Sequence, residues 1–259
     1  MRPKPYIGIT GFMTQGEVEG VLDVLPIGTD QLVMIGVLAS NKTLRGEENK
    51  WPKRYPKPET LETIFPSSSD LNSLNLIHFN TNESPVGLFR EMCGAQVLAG
   101  PHCHGFQLNV VWPYTRALYQ YKRYTSFARK TIVLQCGNKA LSECEWSPKE
   151  IAKRVRGYEG LVDYVLIDPS GGLGKEFDPE FAKACFHELQ KIETMGFGVA
   201  GGLHAGNLHR LYSLIEEFPD FSIDAEGKLR TVEDDLDVEA AKAYLKAAYN
   251  KFHEYRVAV

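Results

Sequence analysis

The chain has 259 residues, of which 43% are apolar and 24% charged, and its formal net charge at pH 7 is −4. This balance is ordinary for a globular protein and gives no electrostatic reason to expect nucleic acid or an anionic membrane as a partner. No apolar run approaches the ~18 residues of a membrane-spanning helix. The opening segment, MRPKPYIGIT, is typical of a first strand and not of a signal peptide.

The cysteines are odd in number, scattered along the chain, and mostly inside apolar segments. They are Cys93, Cys103, Cys136, Cys144 and Cys185. This usage favours reduced thiols in a cytoplasmic protein over a disulfide framework.

Short apolar runs alternate with longer amphipathic runs almost throughout the chain. The short runs predict strands at Tyr6–Thr10, Gln31–Ala39, Leu74–Phe79, Gly105–Trp112, Lys130–Cys136, Val162–Asp168, Phe197–Ala200 and Phe221–Asp224. The second run is apolar without interruption, as expected for a strand that is covered on both faces.

The longer runs predict helices between the strands. They are Thr14–Leu25, Pro58–Phe65, a helix opened by Ser84-Pro85, Pro113–Tyr124, a helix opened by Ser147-Pro148, Asp178–Met195, His204–Phe218 and Asp237–Tyr255. A polar loop, Ser40–Pro58, separates the second strand from its helix, and loops of this length are usually functional or disordered.

Eight β-then-α units follow one another without a linker or a break in composition. Such alternation indicates a parallel sheet, and eight units favour one closed (β/α)₈ barrel over residues 1–259. The alternative is a doubly wound open sheet, which usually has fewer strands.

In a barrel the active site lies at the carboxyl ends of the strands. Asp168 ends the sixth predicted strand, and a glycine-rich loop, Gly171-Gly172-Leu173-Gly174, follows it. This pattern fits a catalytic acid or base, and it fits equally a carboxylate that caps a turn or the next helix. Further polar or reactive side chains at strand ends are Thr10, His78, Asn80, Asn109, Trp112, Gln135, Cys136, Asp224 and Glu226. Only about half of them can face the mouth, which is the open end of the barrel at the carboxyl ends of its strands, because side chains alternate along a strand.

Two loops predict a phosphate site. Gly201 and Gly202 lead into a helix after the seventh strand, and Gly227 follows the eighth. The competing interpretation is an ordinary glycine turn. Glu226 would repel an anion there unless it points away or Lys228 neutralises it.

Two other segments are candidates for ligand contacts. Arg54, in the basic and aromatic run KWPKRYPK, would suit a carboxylate or phosphate of a substrate, although the run could equally be a solvated loop. His102-Cys103-His104 holds three metal-binding residue types, but consecutive residues point in opposite directions and converge poorly on one ion. We therefore predict no metal site.

Several segments, in matching order, resemble phosphoribosylanthranilate isomerase, a (β/α)₈ enzyme of tryptophan synthesis. The most specific are GGLGKEFD (171–178) and AGGL (200–203) with Asn207. Gly8-Ile9-Thr10, Lys53-Arg54-Tyr55 and Leu108-Asn109-Val110-Val111 extend the resemblance over nearly the whole chain. The resemblance implies an Amadori rearrangement without metal or organic cofactor, with a cysteine base in strand one and an aspartate acid after strand six.

Asp168 matches the family's acid and Arg54 its substrate-site arginine, whereas Gly201, Gly202 and Gly227 match its phosphate loops. The cysteine base is not matched, because Ile7 stands in its place. We therefore expect an isomerase- or lyase-type enzyme acting on a sugar or sugar phosphate, and not an efficient phosphoribosylanthranilate isomerase.

In this hypothesis Asp168 is the general acid or base, and Cys136, His78 or Asp224 supplies the second proton-transfer group. Asn109, Gln135, Asp224 and Arg54 are the expected substrate contacts. The alternative is a non-catalytic relative that binds a small molecule. A homodimer is left open.

Overall fold

A computed structural model describes residues 2–67, 72–81, 87–170 and 178–258, with side chains to residue 255. Its centre is a closed barrel of parallel strands in the order β1 to β8, so the predicted (β/α)₈ barrel is confirmed. The strands are β1 (Tyr6–Thr10), β2 (Leu32–Ser40), β3 (Ser73–Asn80), β4 (Gly105–Leu108), β5 (Thr131–Gly137), β6 (Tyr164–Asp168), β7 (Gly196–Ala200) and β8 (Ser222–Ala225). Ile7 pairs with Ile223 where β1 meets β8, and this pairing closes the sheet.

Helices surround the barrel. They are α1 (Gln15–Leu22), α2 (Asn41–Leu44), α3 (Leu61–Ile64), α4 (Leu88–Ala99), α5 (Thr115–Tyr124), α6 (Asn138–Glu143), α7 (Pro148–Arg156), α8 (Pro179–Leu189), α9 (Tyr212–Glu217) and α10 (Val238–Ala258), with 3-10 helices at Pro58–Thr60 and Ala205–Leu211. None of the described helices has the length and apolar character that crossing a membrane would require.

Local signals in the sequence explain where several helices begin. Thr14 caps α1 in a complete capping box with Glu17, and Ser147 accepts a hydrogen bond from the Glu150 amide at the start of α7. Asp178 caps α8, whose first residue is a proline. The predicted Ser84-Pro85 helix start lies outside the described residues, and α4 is described from Leu88.

Alternation along the strands divides the core into two layers. The larger layer lies between the strands and the helices, and includes Ile9, Ile35, Phe106 and Ile167. The smaller layer fills the interior of the barrel with Tyr6, Met34, Leu74, Leu76, Val133, Tyr164, Leu166 and Ala200. Apolar side chains thus plug most of the interior, and polar side chains remain for the carboxyl end.

Two differences from the predicted elements bear on the site. β4 ends at Leu108, not at Trp112. The Asn109 amide still donates to the Phe79 carbonyl of β3 (2.9 Å), but Trp112 adopts a left-handed backbone (φ 44°) and stacks on Tyr158 with ring centroids 6.3 Å apart. α6 follows β5 directly and was not predicted from the sequence. Both differences shape the rim of the barrel between β4 and β6.

Candidate active site

Polar side chains gather inside the barrel at the carboxyl ends of its strands. Each belongs to the inward-facing set that alternates with the outer core layer. They are Thr10 on β1, His78 on β3, Gln107 on β4, Gln135 on β5, Asp168 on β6 and Asp224 on β8, all at most 6% exposed. Burying so many polar groups together is unfavourable unless they are hydrogen-bonded to one another.

A continuous chain of hydrogen bonds links the two aspartates. Gln107 Nε2 donates to Asp224 Oδ2 (2.9 Å) and to Gln135 Oε1 (3.1 Å). Gln135 Nε2 in turn donates to Asp168 Oδ2 (2.7 Å). Thr10 Oγ1 lies 3.1 Å from Asp224 Oδ1 and donates to it. The two carboxylates are therefore held by fixed amide donors.

Asp168 is fixed on its other oxygen by the turn that follows β6. The Ser170 amide (3.0 Å) and the Ser170 hydroxyl (2.5 Å) both donate to Asp168 Oδ1. The carboxylate thus accepts hydrogen bonds on both oxygens while lying at the mouth. The predicted glycine-rich loop, residues 171–177, lies outside the described residues.

Among the carboxyl groups that the structure describes, Asp224 has the ionisation that its surroundings perturb most. Burial raises its pKa from 3.8 to about 7, against the stabilising hydrogen bond from Gln107. Glu226 and Asp168 raise the pKa further, because three negative charges in one small volume repel one another. Near neutral pH, Asp224 is therefore poised between its acid and carboxylate forms.

His78 faces the same space from β3. Burial lowers the pKa of its imidazole below the ordinary value of 6.5, against the opposing effects of Glu226 and Asp168. Its Nδ1 atom has no hydrogen-bond partner among the described residues and lies 3.9 Å from Glu226 Oε2. A neutral imidazole with a free ring nitrogen can give or take a proton.

Arg54 lies at the rim, where it joins the loop after β2 to the loop after β8. Its guanidinium contacts Glu226 Oε1 (3.1 Å) and Asp234 Oδ1 (2.7 Å), and only 14% of the side chain is exposed. Lys53 pairs with Asp235 (2.8 Å) beside it. Arg54 thus reaches the mouth, as its predicted role requires, but its charge is already paired within the protein.

A small cavity lies at the centre of these groups. It measures about 30 Å³, room for one or two water-sized groups. Its lining is His78, Gln135, Asp168, Ser170, Ala200, Gly201, Gly202, Asp224, Glu226 and Gly227. The structure therefore brings the three glycines of the predicted phosphate loops together with four of the other predicted site residues.

Asn109 lines a neighbouring cavity of about 190 Å³, together with Gln135, Gly137 and Lys139. Gln135 is the wall that the two cavities share. A ligand longer than the central cavity could extend across Gln135 towards Asn109.

The structure does not place Cys136 with the other predicted catalytic residues. Cys136 belongs to the outer core layer, is fully buried, and does not line the central cavity. Burial raises the pKa of its thiol far above the ordinary value, which disfavours the reactive thiolate. Its neighbour Gln135 occupies the inward position instead.

Ile7 also faces away from the mouth. It packs in the outer layer, whereas Tyr6 belongs to the interior cluster and a Cβ on Gly8 would lie 2.8 Å from Asp224 Oδ1. A side chain at position 7 therefore points towards the helices. The residue that β1 contributes to the mouth is Thr10. The isoleucine at position 7, which the resemblance places where the family has its cysteine base, is therefore weaker evidence against catalysis than the sequence comparison implied.

Three residues of the site were missed in the sequence. Gln107 lies two positions before Asn109 and shares its strand face, and this alternation was the available signal. Ser170 is an ordinary turn residue, and Asp234 stands in an acidic loop (TVEDDLD) with no pattern to distinguish it. Asp234 adopts a left-handed backbone with φ of 70°.

The His102-Cys103-His104 segment lies just before β4, at the opposite end of the barrel from the mouth. Cys103 is buried, and His104 Nδ1 accepts a hydrogen bond from the Asn75 amide (3.0 Å). Within residues 2–67, 72–81, 87–170 and 178–258, no three His, Cys, Asp or Glu side chains are arranged to hold a metal ion.

No protein-family model matches this chain. No curated protein matches it either. Solved structures do: phosphoribosylanthranilate isomerase from Thermotoga maritima is 17% identical, with a TM-score of 0.63 over 95% of this chain and 99% of that one. The Pyrococcus furiosus isomerase is also 17% identical, with a TM-score of 0.61 and the same coverage.

The carboxyl transferase domain of Rhizobium etli pyruvate carboxylase is similar as well. It is 11% identical, with a TM-score of 0.54 over 98% of this chain and 49% of that one. At these identities the likeness shows the fold, and the fold is shared by proteins with different reactions. The chain is therefore a (β/α)₈ barrel built like the phosphoribosylanthranilate isomerases. Its chemistry follows from the side chains at the carboxyl end of its own barrel.

Proposed function

We propose that this chain is an isomerase that moves a proton between adjacent carbons of a small sugar-type substrate, with Asp168 as general acid and base. The observation that carries the proposal is that Asp168 and His78 line one buried cavity at the carboxyl end of the barrel. Two titratable groups held around one small space are what proton transfer between neighbouring atoms requires.

The reaction would proceed through an enediol. A base removes the proton from C2 of a hydroxy-carbonyl substrate, and an acid protonates the carbonyl oxygen at C1. The proton is then returned to C1 while the C2 hydroxyl loses its own proton and becomes the carbonyl. Atoms and electrons balance within the substrate, so no oxidant or reductant is consumed.

The hydrogen-bond chain supports distinct roles for the acidic groups. Ser170 and Gln135 donate to the two oxygens of Asp168 and so fix the orientation of its side chain. A fixed orientation favours proton transfer between this side chain and a bound substrate. His78, neutral near pH 7 and with a free Nδ1, would shuttle the proton between the substrate oxygens. Asp224, which lines the same cavity and is held by Gln107, would act as a further proton donor or acceptor.

A second candidate function is binding of a small molecule without turnover. The observation that favours it is that both oxygens of Asp168 are hydrogen-bonded, one to Gln135 and the other twice to Ser170. A carboxylate satisfied in this way could serve only to shape a binding cavity. Activity in the wild-type protein separates the two candidates.

The test is exchange of substrate hydrogen with solvent deuterium, followed by proton NMR in D₂O. The probes are aldopentoses, aldohexoses, the corresponding ketoses, and the phosphates of each. We expect the wild-type protein to exchange the C1 or C2 hydrogen of at least one probe, and Asp168→Asn to lose about 10²–10⁴-fold in rate. Asp23→Asn, an exposed change at the end of α1, is the matched control.

Two outcomes would reject the isomerase. One is an Asp168→Asn protein that exchanges as fast as the wild type. The other is absence of exchange with every probe in the wild-type protein. Saturable binding of a probe, seen by calorimetry, would in that case leave the binding function.

A further inference from the structure

The proposed reaction does not specify the charge of the substrate, but the charged side chains at the mouth of the barrel restrict it. We propose that the substrate is a neutral, unphosphorylated polyhydroxy compound, because Glu226 places the protein's own carboxylate where the glycine loops would otherwise receive an anion. This inference rests on the proposed function and narrows its substrate class.

The first support is the position of Glu226. It stands directly before Gly227 in the loop after β8, and it lines the same cavity as Gly201 and Gly202. Its side chain is only 17% exposed, so water screens its charge weakly. A phosphate held by these loops would meet this carboxylate at close range.

The second support is that Arg54, the cation in contact with Glu226, is already paired. Arg54 contacts Glu226 at 3.1 Å and holds both carboxylate oxygens of Asp234 at 2.9 Å from its Nε atom. Asp234 is kept in reach by Arg230, whose Nη1 donates to the Asp234 carbonyl at 3.2 Å. An anionic ligand would have to break this pairing before Arg54 could serve as its counter-charge.

The third support is the number of negative groups around the cavity. Asp168, Asp224 and Glu226 all line it, and their mutual repulsion already raises the pKa of Asp224. An added phosphate dianion would increase this repulsion, whereas a hydroxyl group would not.

One unsatisfied atom points to the kind of group that does bind. It is Nδ1 of His78, a residue that lines the cavity and is only 6% exposed. Within the described part of the chain, this nitrogen has no hydrogen-bond partner. The cavity of about 30 Å³ has room for a hydroxyl or carbonyl oxygen, and such groups can both donate and accept.

The test compares Glu226→Ser and Glu226→Gln with the wild type, using inorganic phosphate, D-ribose and D-ribose 5-phosphate in thermal-shift and calorimetric titrations. Glu254→Gln is the matched control, since it removes one exposed negative charge near the end of α10, beside the Tyr255 contact with α9. Glu226→Gln keeps the size of the side chain and covers the case in which the serine variant fails to fold.

We expect phosphate to leave the wild type and Glu254→Gln unshifted, and to bind at least one Glu226 variant at least 10-fold more tightly. Wild-type protein that binds phosphate or D-ribose 5-phosphate as tightly as the variants would overturn the inference. Variants that remain indifferent to phosphate would overturn it too, because Glu226 would then not be what excludes the anion.

The exchange assay separates this inference from the proposed function. Exchange with neutral sugars alone supports both, and exchange with sugar phosphates alone rejects the neutral substrate while keeping the isomerase. Absence of exchange with every probe rejects the isomerase, and the phosphate titration still decides whether Glu226 excludes anions from the mouth.

Discussion

Gln135 donates a 2.7 Å hydrogen bond to Asp168, and this bond sets the orientation of the whole polar chain inside the barrel. Because its amide nitrogen faces Asp168, its oxygen must face Gln107, which donates to it at 3.1 Å. Gln107 then presents the same amide nitrogen to Asp224. One amide orientation thus fixes the donors for both carboxylates.

Replacing Gln135 by leucine should therefore affect stability and activity together. Asp168 and Gln107 would each lose a buried partner, which costs about 1–3 kcal/mol per unsatisfied group. We expect the free energy of unfolding, measured in urea, to fall by this order, and hydrogen exchange on an active probe to fall at least tenfold.

A double-mutant cycle with Gln107→Leu tests the shared bond directly. The two glutamines contact each other, so their effects should differ from additivity by about 0.5–3 kcal/mol. Additive losses of unfolding free energy in the Gln135→Leu/Gln107→Leu protein would contradict the hydrogen bond between the two glutamines.

Asp224 should make stability depend on pH. Its pKa is raised from 3.8 to about 7 in the folded protein, so the folded state binds more protons than the unfolded state between these values. The contribution is fully present below about pH 4 and is lost as pH rises through about 7. The slope cannot exceed about 1.4 kcal/mol per pH unit for one group.

Asp224→Asn removes this dependence while keeping an oxygen for Gln107 and Thr10. We expect the melting temperature of Asp224→Asn, relative to that of the wild type, to increase from pH 5 to about pH 7 and to level off towards pH 8. A difference that stays constant over this range would mean that Asp224 is ionised throughout.

The barrel could be predicted because strand and helix periods alternate so regularly, but the ends of its elements could not. The apolar run of β4 continues through Val110, Val111 and Trp112, although the strand stops at Leu108. The apolar pattern of the sequence does not distinguish a tryptophan in the sheet from one that stacks on Tyr158 outside it, as Trp112 does. The helix α6 has six residues and too short a pattern to recognise.

The site shows a related limit. Gln135 and Cys136 are adjacent, so only one of them can face the interior, and the sequence at the end of β5 does not determine which. The pairing of the strands resolves the ambiguity in favour of Gln135. Asp234 could not be found at all, because its role depends on Arg54 from a loop 180 residues earlier in the chain.

Cys136→Ser tests whether Gln135 or Cys136 is the residue of β5 that takes part in the reaction. A hydroxyl in the apolar outer layer should reduce the free energy of unfolding by about 1–3 kcal/mol. We expect the exchange rate of the folded variant to stay within about twofold of the wild type, because the thiol does not line the cavity. A loss comparable to that of Asp168→Asn would return Cys136 to the catalytic set.

Gly8 provides the sharpest test of the packing under the site. A Cβ at this position would lie 2.8 Å from Asp224 Oδ1, 2.8 Å from Met34 Cε and 3.0 Å from the Ile223 carbonyl oxygen. Gly8→Ala should therefore push the Asp224 carboxylate away from Thr10 and Gln107, cost about 1–3 kcal/mol of stability, and lower exchange at least tenfold.

Gly16 is the matched control, since a Cβ there would meet no atom within 4 Å on the exposed face of α1. Gly16→Ala should stabilise the protein by about 0.5–1 kcal/mol, because alanine loses less backbone entropy than glycine in a helix, and should leave exchange unchanged. Equal exchange rates in both variants would show that the position of Asp224 does not matter for the reaction. A Gly8→Ala protein that keeps its stability but loses exchange would place Asp224 in the proton-transfer path.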